Sequence, residues 1–408
     1  MTGASGSAHV EPYDGFLLIE LAGEPYERGH QHGLALRTQI QMFRDRLYRD
    51  ILFKRGRAVG VTLAALLFGI VSRMHPHVPR ELREEMRGLA DGAGVSYRDV
   101  LLYNAFDDVL HALALLNPAL APLMNHRFIA PLIGRLACSS FVLAGPRSNT
   151  GRPIHARNLD YFLCDGFIDP DGVVPQILRE NVVVFLVRPS HGRPFVSVGW
   201  PGWIGAVTAM NADGLSLACL TSPVSRETPN GIPLPLLYRL IAQHAGSLEE
   251  AEWLLRGARR TIGNNLTMAS GPSGEARLFE FTMDRLAVIH PSDGLVRATN
   301  HFQHPLTVEL QVGWVVPNSE YRLARLDELL GPRAYGVADA QAALTDTCSV
   351  EGAETEWDCL QNPGTIYSTI ADPARLRLWV RANDRADRPF VQLDLAARLG
   401  VREGVAAA

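Results

Sequence analysis

The chain has 408 residues, 47% of them hydrophobic, with a net charge of −4 and a pI near 6.4. This length can bury a sizeable core in one large domain or two ordinary ones, and the sequence has no basic stripe that would indicate a nucleic-acid partner. Lys54 is the only lysine among the 39 basic residues, and it lies in no P-loop, Schiff-base or Ser-Lys motif. Enzyme classes that need a catalytic lysine, or that bind a nucleotide through a G-x-G-x-x-G turn after a strand, are therefore excluded.

The first third of the chain is predicted to be mainly helical. A strand over 14–22 is followed by helical patterns over about 26–53, 80–93 and 96–124. Residues 58–72 form an apolar stretch of about fifteen residues, which is shorter than the roughly 20 needed to span a bilayer. A buried helix is the favoured interpretation of this stretch, and an acyl-chain channel or a membrane-touching patch is the alternative.

The N-terminus and the cysteines indicate the cellular compartment, and two histidines are considered as metal ligands. The first residues have neither a basic start nor an apolar run, so no secretory signal is expected. Five cysteines without a C-x-x-C pair then predict reduced thiols in the cytoplasm. His30 and His32 form a single H-x-H without carboxylate neighbours, so neither a metal site nor a cofactor is predicted.

From Cys138 onward the pattern changes to short β-rich runs separated by turn signals such as Asn149-Thr150-Gly151. Two helices are predicted near 234–245 and 248–257, the second opening with a Ser247–Glu250 capping box. Strands then resume, and after one more helix the chain closes in strands. Strands, helices and strands again favour two sheets with helices packed outside them.

The first hairpin of the β-rich part places reactive residue types together. SSFVLAG and RPIHARN flank a loop centred near Asn149, and reflection about that centre pairs Cys138 with residue 160. Antiparallel pairing therefore brings Arg157 and Asp160 beside Cys138, within a residue or two of register. A guanidinium favours the thiolate, and a carboxylate can hold an ammonium or orient a base. A buried structural cysteine is the alternative interpretation.

The same hairpin, ACSSFVLAG…GRPIHARNLDY, resembles the nucleophile segment of choloylglycine hydrolases, of acid ceramidase and of the related penicillin acyltransferase family. Upstream, LAGEPYERGHQHG and EEMRGLADGAGVSYRDVLLYN resemble the pro-segment of the penicillin acyltransferases. Downstream, GWPGWIGAVTAMNADGLSLACL, GNNLTMASG, ATNHF and NSEYRLARL follow in the order of that family. The resemblance covers residues 14 to 395. Each motif is weak alone, and the ordered set is fairly specific.

This resemblance implies an α+β fold, a four-layer αββα N-terminal-nucleophile (Ntn) sandwich over 138–408, preceded by a mainly helical pro-segment over 1–137. It also implies that the precursor cuts its own Ala137–Cys138 bond through an N-to-S acyl shift. Cys138 then becomes the first residue, and its α-amine, with an ordinary pKa of about 7.7–8, can act as the base for its own thiol.

The resemblance also assigns site residues. Arg157 and Asp160 would flank the sulfur and bind the new α-amine, and Arg322 matches an active-site arginine. Asn265 matches the side-chain donor to the oxyanion, with Asn264 as the alternative if the register slips by one. The predicted substrate-binding residues are Thr221, Trp200, Trp203 and Ser319.

Some of these assignments have competing interpretations. Thr221 stands at or near the place of an asparagine in choloylglycine hydrolases, and a backbone N–H can still serve there. Trp200 and Trp203 could form an acyl-pocket wall or simply pack. Cys164 lies near the hairpin exit and is interpreted as a core cysteine, with contact with the site as the alternative. The cysteines treated as structural are Cys219, Cys348 and Cys359.

The predicted function is a cysteine amidohydrolase that cleaves a linear carbon–nitrogen amide bond through a thioester acyl-enzyme. An N-acyltransferase that passes the acyl group to an amine is the alternative, because the same machinery serves both. A non-catalytic binding or scaffold protein is the third interpretation, and the Cys138–Arg157–Asp160–Asn265 set argues against it. The expected partner is a small amide or acyl donor with a hydrophobic acyl part, and a homo-oligomer is left open.

Overall fold

The computed structural model describes residues 8–54, 56–115, 138–161, 173–311, 316–385 and 387–401. Its strands, in chain order, are β1 (His9–Tyr13), β2 (Phe16–Gly23), β3 (Ser139–Leu143), β4 (Ile154–Asp160), β5 (Val182–Pro189), β6 (Phe195–Gly199), β7 (Thr208–Asn211), β8 (Leu215–Thr221), β9 (Asn264–Ser270), β10 (Ala276–Phe281), β11 (Leu286–Ile289), β12 (Leu295–Ala298), β13 (Thr365–Asp372), β14 (Arg377–Ala382) and β15 (Val391–Asp394).

The α-helices of the same ranges are α1 (Pro25–Ala35), α2 (Arg37–Arg46), α3 (Arg57–Met74), α4 (Arg80–Ala93), α5 (Tyr97–Tyr103), α6 (Phe106–Leu115), α7 (Val173–Glu180), α8 (Leu234–His244), α9 (Leu248–Gly257), α10 (Pro305–Val308), α11 (Val316–Leu329) and α12 (Val337–Leu344). A π-helical turn, Leu47–Leu52, continues α2.

Two sheets lie face to face in the centre of the molecule. The larger has the strand order β1-β2-β5-β6-β7-β8-β9-β10-β11, and the smaller has the order β12-β3-β4-β13-β14-β15. Polar side chains cross between them: the Ser140 and Thr267 hydroxyls are 2.7 Å apart, and His155 Nδ1 is 2.9 Å from Ser216 Oγ. Strands β3, β4, β8 and β9 are buried at every residue, although β4 and β9 carry several polar side chains each.

Helices cover the outer face of each sheet. Helices α8 and α9 pack on β7, β8 and β9, whereas α11 and α12 pack on β12, β4 and β13. The four-layer αββα architecture implied by the resemblance is therefore confirmed. The predicted capping box at α9 forms in part: Ser247 Oγ accepts from the Glu250 N–H, but the Glu250 carboxylate accepts from the N–H of Gly246 instead.

The N-terminal segment is built into the same sheet as the rest of the chain. Strand β2 runs parallel to β5, in register from Phe16 opposite Val182 to Gly23 opposite Pro189. The predicted division at residue 138 therefore separates two parts that share one sheet.

Helices α1 and α4 cross at very short range in this segment. A Cβ atom on Gly29 would collide with the backbone carbonyl of Glu85, and one on Gly88 would collide with that of Tyr26. The glycines in LAGEPYERGHQHG and EEMRGLADG thus permit a backbone-to-backbone contact that any larger residue would block.

Helix α3 carries the apolar stretch. Within the described ranges, Arg57–His77 is the one helical stretch that is long and apolar enough, by length and composition alone, to cross a membrane. Leu67, Ile70 and Val71 are buried, but Val59 and Val61 face outward. The favoured interpretation of a buried helix thus holds for one face only.

Candidate active site around Cys138

The predicted hairpin forms with nearly the predicted register. Strands β3 and β4 pair antiparallel, with Ser139 opposite Asn158 and Ser140 opposite Arg157. Continuing this register by one step puts Cys138 opposite Leu159, one position from the predicted partner. Because Cys138 directly precedes β3, beside the end of β4, Arg157 and Asp160 both lie close to its sulfur.

The Cys138 thiol is buried against a guanidinium. Its Sγ lies 3.2 Å from Arg157 Nη2 and 3.8 Å from the carbonyl oxygen of Asp160. Arg157 is fixed by donation to the carbonyls of Val207 and Cys219 at 3.0 Å. Burial raises the pKa of the Cys138 thiol, and the charge of Arg157 acts in the opposite direction. Formation of the thiolate therefore calls for a nearby base.

Asp160 is a buried carboxyl with one uncommitted oxygen. Its Oδ2 accepts from Asn362 Nδ2 at 2.9 Å, whereas its Oδ1 has no hydrogen-bond partner among the described residues. Burial raises the pKa of Asp160 to about 6, and the nearby charge of Arg322 acts in the opposite direction. Asp160 is therefore a group whose protonation changes close to neutral pH and whose free oxygen can accept another hydrogen bond.

The backbone of Cys138 is held by two side chains from distant segments. Its N–H donates to Asn300 Oδ1 at 2.6 Å, and its carbonyl oxygen accepts from Arg322 Nη1 at 2.5 Å. Arg322 Nη2 also donates to Asn300 Oδ1 at 3.0 Å, and Asn300 Nδ2 donates to the carbonyl of Thr221 at 2.7 Å. Arg322 is thus where the resemblance implied. Asn300 was assigned no role, although its motif, ATNHF, carries part of the resemblance.

Ser319 lies behind this network and not in the cavity beside the sulfur. Its Oγ accepts from the Asn300 N–H at 2.7 Å and lies 2.7 Å from His301 Nδ1. The geometry therefore makes Ser319 a positioning residue for Asn300, which differs from the predicted contact with substrate.

Asn265 supports the same segment. Its Nδ2 donates to the carbonyls of Thr299 at 2.9 Å and His301 at 2.8 Å, on either side of Asn300. Two facing carbonyls fix the orientation of the amide, because the opposite orientation would place three oxygens together. Both N–H groups are thus donated in this arrangement, and the oxyanion role of Asn265 or Asn264 stays a prediction.

A cavity of about 140 Å³ opens beside the sulfur. The predicted substrate-binding residues Trp200, Trp203 and Thr221 line it, and the two indole rings meet edge-on with centroids 5.4 Å apart. The N-terminal segment supplies much of the opposite wall, through Phe43, Leu47, Ile51, Tyr103 and Phe106. The space next to Cys138 is therefore predominantly apolar and is shaped by both parts of the chain.

Two side chains of the N-terminal segment accept hydrogen bonds from the loop that carries Trp200 and Trp203. His32 Nε2 accepts from the Gly202 N–H at 3.1 Å, and burial lowers the pKa of His32 to about 3, so the ring is a neutral acceptor. Asn104 Oδ1 accepts from the N–H groups of Ile204 at 2.7 Å and Gly205 at 3.0 Å. These contacts involve residues that the sequence analysis either gave no role or considered only as a metal site.

The remaining cysteines divide by position. Cys219 and Cys359 are buried, and Cys219 lines the cavity near Arg157, whereas Cys348 is exposed. Ala137, on the far side of the predicted cleavage bond, and Cys164 lie outside the described residues. So does the end of the helical pattern predicted over 96–124.

Comparisons with known proteins bear on this site. A family model described as acyl-coenzyme A:6-aminopenicillanic acid acyl-transferase matches residues 171–387. An uncharacterized protein of Archaeoglobus fulgidus is 26% identical over 398 residues, covering 90% of this chain and 63% of that protein. Protein dcd1B of Dictyostelium discoideum is 23% identical over 291 residues, covering 66% of this chain and 51% of that protein. The chain thus spans about half to two thirds of the length of these relatives.

A solved structure, the Caenorhabditis elegans ortholog of N-acylethanolamine-hydrolyzing acid amidase, is similar at 15% identity. The match has a TM-score of 0.43 and covers 58% of this chain and 93% of that one. The region matched by the family model is more than half of the sequence. The protein therefore belongs to the acyl-coenzyme A:6-aminopenicillanic acid acyl-transferase family.

Proposed function

We propose that this protein is a self-processing cysteine amidohydrolase of the Ntn type, which cleaves a linear amide through a thioester at Cys138. One observation carries the proposal: the sulfur and the backbone nitrogen of Cys138 each contact a group suited to this chemistry. Its sulfur faces Arg157, and its backbone nitrogen faces Asn300 Oδ1. The carbonyl oxygen of Asp160 lies 3.8 Å from the same sulfur, and its carboxyl Oδ1 has no partner among the described residues.

In the proposed processing step, Cys138 Sγ attacks the carbonyl carbon of Ala137 and its proton passes to the nitrogen of Cys138. The Ala137–Cys138 amide bond breaks as the thioester forms. Water then hydrolyses that thioester, which gives a carboxylate at the end of 1–137 and a free amine at the start of 138–408. The acceptor on Asn300 and the free oxygen of Asp160 are suited to hold this amine as an ammonium.

In turnover, the α-amine of Cys138 takes the thiol proton, and the thiolate attacks the amide carbonyl of the substrate. The tetrahedral intermediate collapses with loss of the amine product, which takes up a proton, and water hydrolyses the acyl-enzyme. Arg157 supports thiolate formation, and the expected oxyanion donors are the backbone N–H near Thr221 with Asn265 or Asn264. The aromatic and aliphatic lining of the cavity supports a hydrophobic acyl part.

Acyl transfer to an amine is the second candidate, favoured by the description of the matching family. It shares every step up to the acyl-enzyme and differs only in the acceptor. Cytoplasmic localisation and a homo-oligomer remain predictions.

The experiment is intact mass spectrometry of the purified protein, followed by turnover of an amide library with and without added amines. We expect fragments 1–137 and 138–408 from the wild type, a single chain from Cys138→Ala, and amide turnover from the wild type but not from Cys138→Ala. Cys348→Ala is the matched control, because this exposed cysteine lies away from the cavity and should change neither result. A wild type that turns over amides as a single chain would contradict the processing claim. Products that appear only with added amine would favour acyl transfer.

A further inference from the structure

The nitrogen of the Arg157 guanidinium that does not face the sulfur is held by a chain of two hydroxyls. This nitrogen, Nη1, donates to Thr208 Oγ1 at 2.6 Å, and Thr208 Oγ1 lies 2.9 Å from Tyr367 Oη. Tyr367 Oη in turn donates to the carbonyl of Val198 at 3.3 Å. Arg157, Thr208 and Tyr367 are all buried. Because Thr208 belongs to β7 and Tyr367 to β13, the chain joins the two sheets directly behind the thiol.

The donors and acceptors of this chain fit together in one direction. A hydroxyl has one hydrogen to donate, and Tyr367 uses its hydrogen on the Val198 carbonyl. Thr208 therefore donates to Tyr367 while it accepts from Arg157. Each hydroxyl accepts one bond and donates one, so the chain has no unpaired hydrogen. A charged donor at one end and a carbonyl at the other polarise such a chain and strengthen its members.

A register irregularity directs Tyr367 toward Arg157. Strands β13 and β4 pair with one irregularity, between Thr365 and Tyr367, which leaves Tyr367 opposite Leu159. Leu159 and Arg157 are two positions apart, so their side chains lie on one face of the sheet, together with that of Tyr367. Without the extra residue, Tyr367 would pair with Asn158 and lie on the other face. In the observed register, Arg157 Cζ lies 5.8 Å from the centroid of the Tyr367 ring.

The guanidinium is planar, so a contact that fixes one of its nitrogens also fixes the other. Nη2 faces Cys138 Sγ at 3.2 Å, and a rotation of the group would move the charge away from the sulfur. The carbonyls of Val207 and Cys219 supply backbone contacts, and Thr208 supplies the side-chain contact at Nη1. Neither Thr208 nor Tyr367 lines the cavity. Their effect is therefore expected on the thiol and not on the binding of substrate.

We propose that Thr208 and Tyr367 are positioning residues, which hold the Arg157 guanidinium against the Cys138 thiol and so set the reactivity of that thiol. The consequence for amide turnover rests on the proposed function. The consequence for the thiol itself does not, because alkylation of Cys138 can be measured without any amide substrate.

The test is the rate of iodoacetamide alkylation at Cys138 against pH, with the modified cysteine identified by peptide mass mapping. We expect Thr208→Val and Tyr367→Phe each to move the profile to higher pH and to slow alkylation at pH 7 by about threefold or more, because a displaced guanidinium stabilises the thiolate less. Thr208→Ser keeps the hydroxyl and should restore the wild-type profile. The double variant should resemble Thr208→Val, since both changes break one chain. Amide turnover should lose kcat in parallel while KM stays within about twofold.

Tyr335→Phe is the matched control. The Tyr335 side chain is also buried, its hydroxyl donates to the carbonyl of Gly331 at 2.9 Å, and it does not line the cavity, so this variant should keep the wild-type profile. Tyr367→Phe keeps the ring and its packing, so it provides the answer even where Thr208→Val fails to fold. An unchanged profile in Tyr367→Phe, with or without a lower free energy of unfolding, would show a merely structural role and overturn the proposal. Shifted profiles in a protein that neither cleaves itself nor turns over amides would support the positioning role and count against the proposed function alone.

Discussion

The backbone N–H of Cys138 donates to the side-chain oxygen of Asn300 at 2.6 Å, although the two residues lie 162 positions apart in the chain. The same oxygen accepts from Arg322 at 3.0 Å. Under the proposed function, this nitrogen belongs to the scissile bond before cleavage and is the catalytic amine afterwards, so Asn300 is expected to position it.

We predict that Asn300→Ala slows self-cleavage and amide turnover by about 10²-fold, in the range measured when one preorganised polar contact is removed from an active site. The measurement is the cleaved fraction against time by intact mass, followed by kcat on the fraction that has matured. Asn230→Ala, at an exposed asparagine that contacts Arg73, is the control and should behave as wild type. Unchanged cleavage in Asn300→Ala would mean that the 2.6 Å contact does not assist the reaction.

Arg157 is predicted to set the reactivity of the thiol. Its guanidinium holds Val207, Thr208 and Cys219 while Nη2 faces the sulfur at 3.2 Å. Lysine keeps the charge but cannot reproduce this fork. We expect Arg157→Lys to lower turnover at least tenfold and to move the pH dependence of iodoacetamide alkylation at Cys138 to higher pH. A Cys138 that titrates near pKa 8.5 in both proteins would show that Arg157 is not its partner.

Variants of Asn264 and Asn265 can distinguish donation to the oxyanion from structural support of the segment around Asn300. If Asn265 supplies the oxyanion donor, Asn265→Ala lowers kcat by about 10²-fold or more with little loss of folding. Its donated contacts to Thr299 and His301 predict a second effect, a lower free energy of unfolding. Kinetics and urea unfolding on Asn265→Ala and Asn264→Ala distinguish the two. Abolished activity in Asn264→Ala alone would move the role by one residue.

The hairpin that brings Cys138, Arg157 and Asp160 together could be predicted from the sequence, because both strands and their turn lie in one short stretch. There, symmetry about Asn149 determines the register to within one residue. Arg322 was predicted through the resemblance alone, and the tryptophan wall was one of two interpretations of Trp200 and Trp203.

The contacts of Asn300, His32 and Asn104 could not be predicted in this way. Each depends on packing between segments far apart in the chain, and neither periodicity nor local turn chemistry specifies which side chains meet there. The role of Asn265 could not be predicted from its sequence either, because an asparagine can donate to an oxyanion or, as here, to two backbone carbonyls.

Asn104 is predicted to control the shape of the acyl cavity without touching substrate. Its Oδ1 accepts from Ile204 and Gly205, and its Nδ2 donates to the carbonyl of Gly202 at 3.0 Å. Asn104→Ala removes all of these contacts and should raise KM for bulky acyl groups severalfold while self-cleavage persists. Asn104→Asp keeps the acceptor and should retain part of the selectivity. A uniform fall in kcat for all acyl sizes would point to a role other than shaping the loop.

Asp160 gives a prediction about pH. Burial raises its pKa from 3.8 to about 6, so the folded protein holds this proton more tightly than the unfolded chain does. Well below pH 3.8 the carboxyl is protonated in both states and carries no penalty. Between pH 4 and 6 the unfolded chain ionises first, so the free energy of unfolding falls as the pH rises, by up to about 3 kcal/mol.

Asp160→Asn removes this titration. We therefore expect the free energy of unfolding of the variant, relative to that of the protein with Asp160, to be higher at pH 7 than at pH 4. The comparison uses urea unfolding at both pH values, with both proteins carrying Cys138→Ala so that each stays one chain. In the Cys138-containing protein the same change should impair self-cleavage and turnover, because an amide oxygen keeps the shape of the carboxylate but not the charge that would hold the α-ammonium. A stability difference that does not vary between pH 4 and 7 would show that Asp160 titrates like an ordinary carboxylate. It would then lack the raised pKa on which this prediction depends.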